Sequence, residues 1–160
     1  MNTLAFATLV TGCAPLVHPA TAYALVAVES AFNPHAIGVV SGALERQPRS
    51  VTEAVATAVA LQAQGRNFSV GLAQINVGNL NRLGLTIPDA FDSCKSLGAM
   101  QSVLSECFGR TGGDEAPQQA LRRALSCYYS GNFTTGFRHG YVGRVVAAAR
   151  TASAGVRGPP

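Results

Sequence analysis

Apolar side chains return at three- and four-residue steps along most of this chain, a spacing that predicts a succession of helices. The first strong run, Ala22-Tyr23-Ala24-Leu25-Val26-Ala27-Val28, follows Pro19, which suits a first helical turn because its missing N–H has no partner to lose there. The run ends at Glu29, and Pro34 disfavours helical geometry at Asn33 soon after. Ser50 and Glu53 have capping-box spacing ahead of Val51, Ala54, Val55, Ala58, Val59 and Leu61, and Gly65 supplies a stop. A short helix is expected between Ala73 and Leu83, ended by Gly84. Leu97, Met100, Leu104, Cys107 and Phe108 form a buried helical stripe, broken from Gly109 to Gly113. Pro117 opens a helix with Ala120, Leu121, Ala124, Leu125 and Tyr128 on one face, and a last helix spans Tyr141 to Ala149. Alternation with a period of two is scarce outside residues 66–76, so the fold class is mainly α with little or no β structure. One domain over residues 1–153 and a flexible tail over 154–160 are expected, with no repeat or linker.

Composition narrows this picture. A chain of 160 residues suits one core, and 48% hydrophobic against 12% charged residues argues for a folded domain. No apolar stretch approaches the roughly 18 residues of a membrane span, so a soluble protein without a transmembrane segment is expected. Leu4, Ala5, Phe6, Ala7, Leu9 and Val10 lack a preceding Lys or Arg and are short for an export leader, despite a superficial lipoprotein-like Val10-Thr11-Gly12-Cys13. That segment reads as the start of the domain, with any export signal outside this chain.

The net charge of +4 is concentrated: residues 117–160 hold six Arg and no acid. Acidic cell-wall polymers, anionic lipids or plain solvation would all answer that charge. One Lys, no Trp and no recognisable motif argue against a nucleic-acid partner. Cys13, Cys94, Cys107 and Cys127 lack close pair spacing, so no zinc or other metal site is expected. Two disulfides in an oxidising compartment, or buried thiols, remain open, and four cysteines allow about three pairings.

Glu29 is the only acid among the first forty-four residues, and it closes an apolar helix. Burial favours the protonated form, and catalytic Glu side chains are tuned in this way to roughly 6–7. A helix-terminal Glu facing solvent or an Arg is the plain alternative.

Three segments give Glu29 a context: Glu29-Ser30-Ala31-Phe32-Asn33-Pro34, Gly71-Leu72-Ala73-Gln74-Ile75-Asn76 and Tyr128-Tyr129-Ser130-Gly131-Asn132. Their order resembles the soluble lytic transglycosylases, whose fold is like that of goose-type lysozyme and whose pattern runs Glu-Ser-x-Phe-x-Pro, Gly-Leu-x-Gln, Tyr-Asn-x-Gly. Ala36-Ile37-Gly38-Val39, Gln47-Pro48-Arg49 and Cys127-Tyr128-Tyr129-Ser130-Gly131-Asn132-Phe133 are similar to the branch associated with type IV secretion and conjugation. The resemblance extends from about Cys13 to Arg150.

The resemblance implies a single lysozyme-like helical domain that cleaves the MurNAc-GlcNAc β-1,4 bond with 1,6-anhydro-MurNAc formation, needing no cofactor. Glu29 matches the single catalytic acid. Gln74 matches a sugar-contacting glutamine within a segment that also supplies Asn76, and Ser30 is a candidate partner of the substrate or of Glu29. Tyr128 matches a tyrosine near the acid, so its hydroxyl is expected to orient Glu29. Tyr129 stands where the broader family has Asn, which offers a sugar-stacking surface, and Tyr141 resembles a segment closing the cleft or packs in the core. Residues 35–70 are an insert that shapes the cleft or presents a surface. The expected disulfides are Cys13–Cys94 and Cys107–Cys127. Implied partners are peptidoglycan strands and secretion or conjugation subunits, with a periplasmic location. A hydrolytic muramidase, with Asp89 or Asp92 reaching the site, and a glycan-binding assembly factor are the competing readings.

Overall fold

The computed structural model describes residues 1–156. The helices are α1 Thr3–Cys13, α2 Pro19–Ser30, α3 Val51–Ala63, α4 Val77–Leu80, α5 Ile87–Ala90, α6 Ser93–Gly109, α7 Pro117–Ser130, α8 Thr135–Arg138 and α9 Tyr141–Val156. Among the described residues the strands are β1 Ile37–Val39, β2 Phe68–Val70 and β3 Ile75–Asn76, joined antiparallel in the order β1-β2-β3. The architecture is mainly α, as the periodicity predicts. No described helix is long and apolar enough to cross a membrane.

The core forms around α2, whose Ala22, Ala24, Leu25 and Val26 are buried. Helix α9 packs along it through Tyr141, Val142 and Val145, and α6 packs beside α7. Cys13–Cys94 fastens the end of α1 to the start of α6, and Cys107–Cys127 ties α6 to α7. These are the pairings that the resemblance implies.

Helix α2 ends before Pro34 acts on Asn33. Ala31 and Phe32 adopt left-handed conformations (φ 49° and 62°), and Ala31 N–H donates to the Ala27 carbonyl. Such a conformation costs roughly 1–2 kcal/mol for a non-glycine residue. The Phe32 ring offsets it by packing 5.3 Å from Phe6 and 4.9 Å from Tyr23, contacts of a kind worth about 0.5–1.5 kcal/mol each.

Several local expectations change. Ser50 caps α3 by accepting from Glu53 N–H, but the Glu53 carboxylate accepts from Arg49 N–H rather than closing a box on Ser50. The complete capping box is Thr86 with Asp89, at the start of α5. Val51, Val59 and Phe108 are exposed, because the faces of α3 and α6 that meet the core are narrower than the apolar stripes. Helix α9 continues past Ala149 to Val156, so the first three residues of the expected tail are helical, and 157–160 lie outside the described residues.

Gly71 fixes the approach of α5 to the site loop. Its φ is +81°, and an added Cβ would stand 2.1 Å from the Ala90 carbonyl oxygen, so no other residue fits.

Candidate active site

Glu29 occupies the last turn of α2, half-buried on the wall of a cleft of about 650 Å³. Val39 of β1, Ser69 of β2 and Asn67 just before β2 line one side, while Tyr128 and Tyr129 of α7 stand on another. A larger groove of about 810 Å³, lined by His18, Arg122 and Arg150, contains no carboxylate among the described residues.

Burial pushes the Glu29 carboxyl up from 4.5 to about 7, against the lowering effects of a Tyr141 hydrogen bond and the Arg144 charge. Tyr141 is buried, and its hydroxyl donates to Glu29 Oε1 at 2.6 Å. Burial, followed by the Glu29 charge, holds the phenols of Tyr128 and Tyr141 above their ordinary value. Both therefore remain donors.

The hydrogen bond to Glu29 expected of Tyr128 comes instead from Tyr141. Tyr128 lines the cleft, but its hydroxyl donates to the Ala73 carbonyl at 2.7 Å and braces the Gly71–Gln74 turn. Ser30 also faces backbone: its hydroxyl donates to Leu72 O at 2.6 Å and Val26 O at 3.3 Å, joining the acid's helix to the same turn. Ser30 bonds neither Glu29 nor the open cleft, because the left-handed turn at Ala31 leaves its buried side chain beside Leu72.

Gln74 lies in the cleft with φ 50°, and its amide donates to Ala36 O and Gly71 O, both at 2.9 Å. Its Oε1 sits close to Gly38, where a Cβ would come within 2.8 Å. Asn76 lines the same wall, donates to Asn67 Oδ1 and accepts from Gly78 N–H. Tyr129 is 41% exposed, stacks on Tyr141 at 4.5 Å and bonds His139 Nδ1 through its hydroxyl. One ring face is thus held by Tyr141 while the residue borders the cleft.

Asp89 is held by Lys95 and then Thr86, which keep its carboxyl well below the usual range, and Asp92 caps α6 through Lys95 N–H. Neither is among the residues lining the cleft. The second carboxylate there is Glu106, whose oxygens accept from Arg82 at 2.9 and 3.0 Å. Sequence reading missed Glu106, Arg82 and Arg110 in the cleft, and Arg144 and His139 beside the tyrosines. The signal for the α6 set is its helical spacing: Val103, Glu106, Cys107 and Arg110 share one face.

The fold is thus a mainly helical domain whose open cleft holds a carboxyl group with its pKa raised to about 7. The family model described as transglycosylase SLT domain matches residues 9–148, and this chain belongs to that family. The type IV secretion system protein VirB1 of Brucella abortus is 50% identical over 153 residues, covering 90% of this chain and 63% of that protein. Protein VirB1 of Agrobacterium fabrum is 40% identical over 144 residues (86% of this chain, 56% of that protein), and that of Rhizobium radiobacter 36% over 148 (92% and 62%). This chain therefore spans less than two thirds of the length of these curated relatives. No solved structure matches it.

Proposed function

We propose that this chain is a periplasmic peptidoglycan lytic transglycosylase that locally opens the cell wall for a type IV secretion or conjugation apparatus. The observation that carries the reading is Glu29, protonated up to about pH 7 in the cleft and held by Tyr141. Family membership and similarity to VirB1 proteins support the substrate and the setting.

In this reading Glu29 gives its proton to the glycosidic oxygen as the bond to C1 of N-acetylmuramic acid breaks. The substrate's N-acetyl oxygen stabilises C1, since among the described residues no second cleft carboxylate stands free of a cation. The Glu29 carboxylate then takes the proton of the C6 hydroxyl while O6 attacks C1, closing the anhydro ring. The starting protonation state is restored, and one carboxyl group serves as acid and then base. Gln74 offers its amide oxygen and Asn76 its second amide N–H to the sugars, and Tyr129 offers a ring edge and face.

The test is clearance of a purified peptidoglycan suspension. The chain should lower its turbidity and Glu29→Gln should not; equal clearance by both would remove Glu29 from the chemistry.

A further inference from the structure

The cleft has a charged end that the glycan backbone does not explain. Arg82, just beyond α4, meets Glu106 of α6, and Arg110, the C-cap of α6, lies one turn beyond Glu106. Arg82 is held twice: Nη1 by Glu106 and Nε by Asn79 Oδ1 at 3.3 Å. This leaves Nη2 without a protein partner among the described residues. Arg110 has no carboxylate partner among the described residues; its Nη1 lies 3.4 Å from Cys127 Sγ and its guanidinium 5.8 Å from the Phe133 ring centre. Two arginines against one glutamate leave this end with one excess positive charge. The Arg82–Glu106 pair is about half exposed, with side-chain exposures of 46% and 52%. Such pairs add only about 0–1 kcal/mol to stability, so folding gives little reason for this cluster.

The N-acetylated disaccharide repeat of peptidoglycan is neutral. Its charge resides on the peptide stem, attached through the lactyl group of muramic acid and carrying free carboxylates. Planar guanidinium groups recognise carboxylates through paired N–H donors. We infer that Arg82 and Arg110 form a subsite for carboxylates of the peptide stem, with Glu106 and Asn79 holding Arg82 in position. This rests on the peptidoglycan reading above.

Glu29→Gln protein, which holds substrate without turnover, is titrated with muropeptide oligosaccharides carrying their stems and with the same oligosaccharides stripped by an amidase. Stems should tighten binding roughly 10-fold at low salt, the size of an exposed charge-assisted contact. Adding Arg110→Gln or Arg82→Gln should bring the ratio of the two affinities towards one, and Arg110→Lys should restore part of it. Circular dichroism of each variant separates a lost contact from a lost fold. Equal affinities in the Glu29→Gln parent, a ratio unmoved by both Gln variants, or no binding of either ligand would overturn the subsite. The two claims fail separately: a wild-type chain that releases no fragments, beside a parent with the 10-fold ratio, sinks the catalytic reading and keeps the subsite.

Discussion

The Tyr141 hydroxyl donates to Glu29 Oε1 across 2.6 Å, joining the first turn of α9 to the last turn of α2. This bond favours the ionised carboxylate and opposes the effect of burial. Tyr141→Phe should therefore raise the Glu29 pKa further above about 7 and move the alkaline limb of the kcat/KM profile to higher pH. Loss of a hydrogen bond to a charged group, typically ~1.5–3 kcal/mol, should also lower the rate roughly 10- to 100-fold. A pH–rate profile of the variant reads both effects, and an alkaline limb that stays in place would count against the assignment.

Glu29 should leave a signature in stability. Its pKa is 4.5 in the reference state and about 7 when folded, so between those values the folded chain holds more protons than the unfolded one. Stability then falls as pH rises through that window. At pH 8 the buried charge costs on the order of 1–3 kcal/mol. Thermal unfolding of Glu29→Gln should show a higher Tm than the parent at pH 8, with the gap closing at pH 4.

Tyr128 should behave unlike Tyr141. Tyr128→Phe leaves the buried Ala73 carbonyl without its 2.7 Å donor, a loss of about 1–3 kcal/mol. The expected result is a lower Tm and weaker activity through a looser Gly71–Gln74 turn, without the alkaline displacement predicted for Tyr141→Phe. Melting curves beside pH–rate profiles of both variants make the comparison.

The two disulfides should separate stability from activity. Cys13–Cys94 spans 81 residues and Cys107–Cys127 spans 20, so chain entropy makes the first worth about 1 kcal/mol more. Replacing each pair by Ser should cost more Tm at Cys13–Cys94. Activity measured well below either Tm should fall more at Cys107–Cys127, because both of its cysteines line the cleft and it joins α6 to the helix bearing Tyr128 and Tyr129.

Glu29 was legible because a carboxylate after seven apolar residues contradicts its surroundings, and Pro19 and Pro117 mark the starts of α2 and α7. The strands are legible in part: β2 and β3 fall within residues 66–76, where alternation occurs, while the three-residue β1 is too short to display it. Helix α4 falls within the short helix expected between Ala73 and Leu83, whereas the four residues of α5 have no periodicity to read. Tyr141 rather than Tyr128 reaches Glu29 because the packing of α9 on α2 joins residues 112 apart in the chain, which no local pattern reveals. Local sequence shows that both are tyrosines near a cleft; it does not show which hydroxyl reaches the acid. The charged end was hidden because Glu106 and Arg110 read as ordinary polar positions on an amphipathic helix, and only the fold sets Arg82 opposite them.

The central claim is that one carboxyl group, Glu29, cleaves the glycan without adding water. Purified peptidoglycan is digested in ¹⁸O-labelled water by the wild-type chain and by Glu29→Gln, and the released muropeptides are weighed by mass spectrometry. The account predicts fragments one water lighter than hydrolytic products, free of ¹⁸O and absent from the Glu29→Gln digest. Fragments with ordinary reducing ends carrying ¹⁸O would contradict it and make the chain a muramidase.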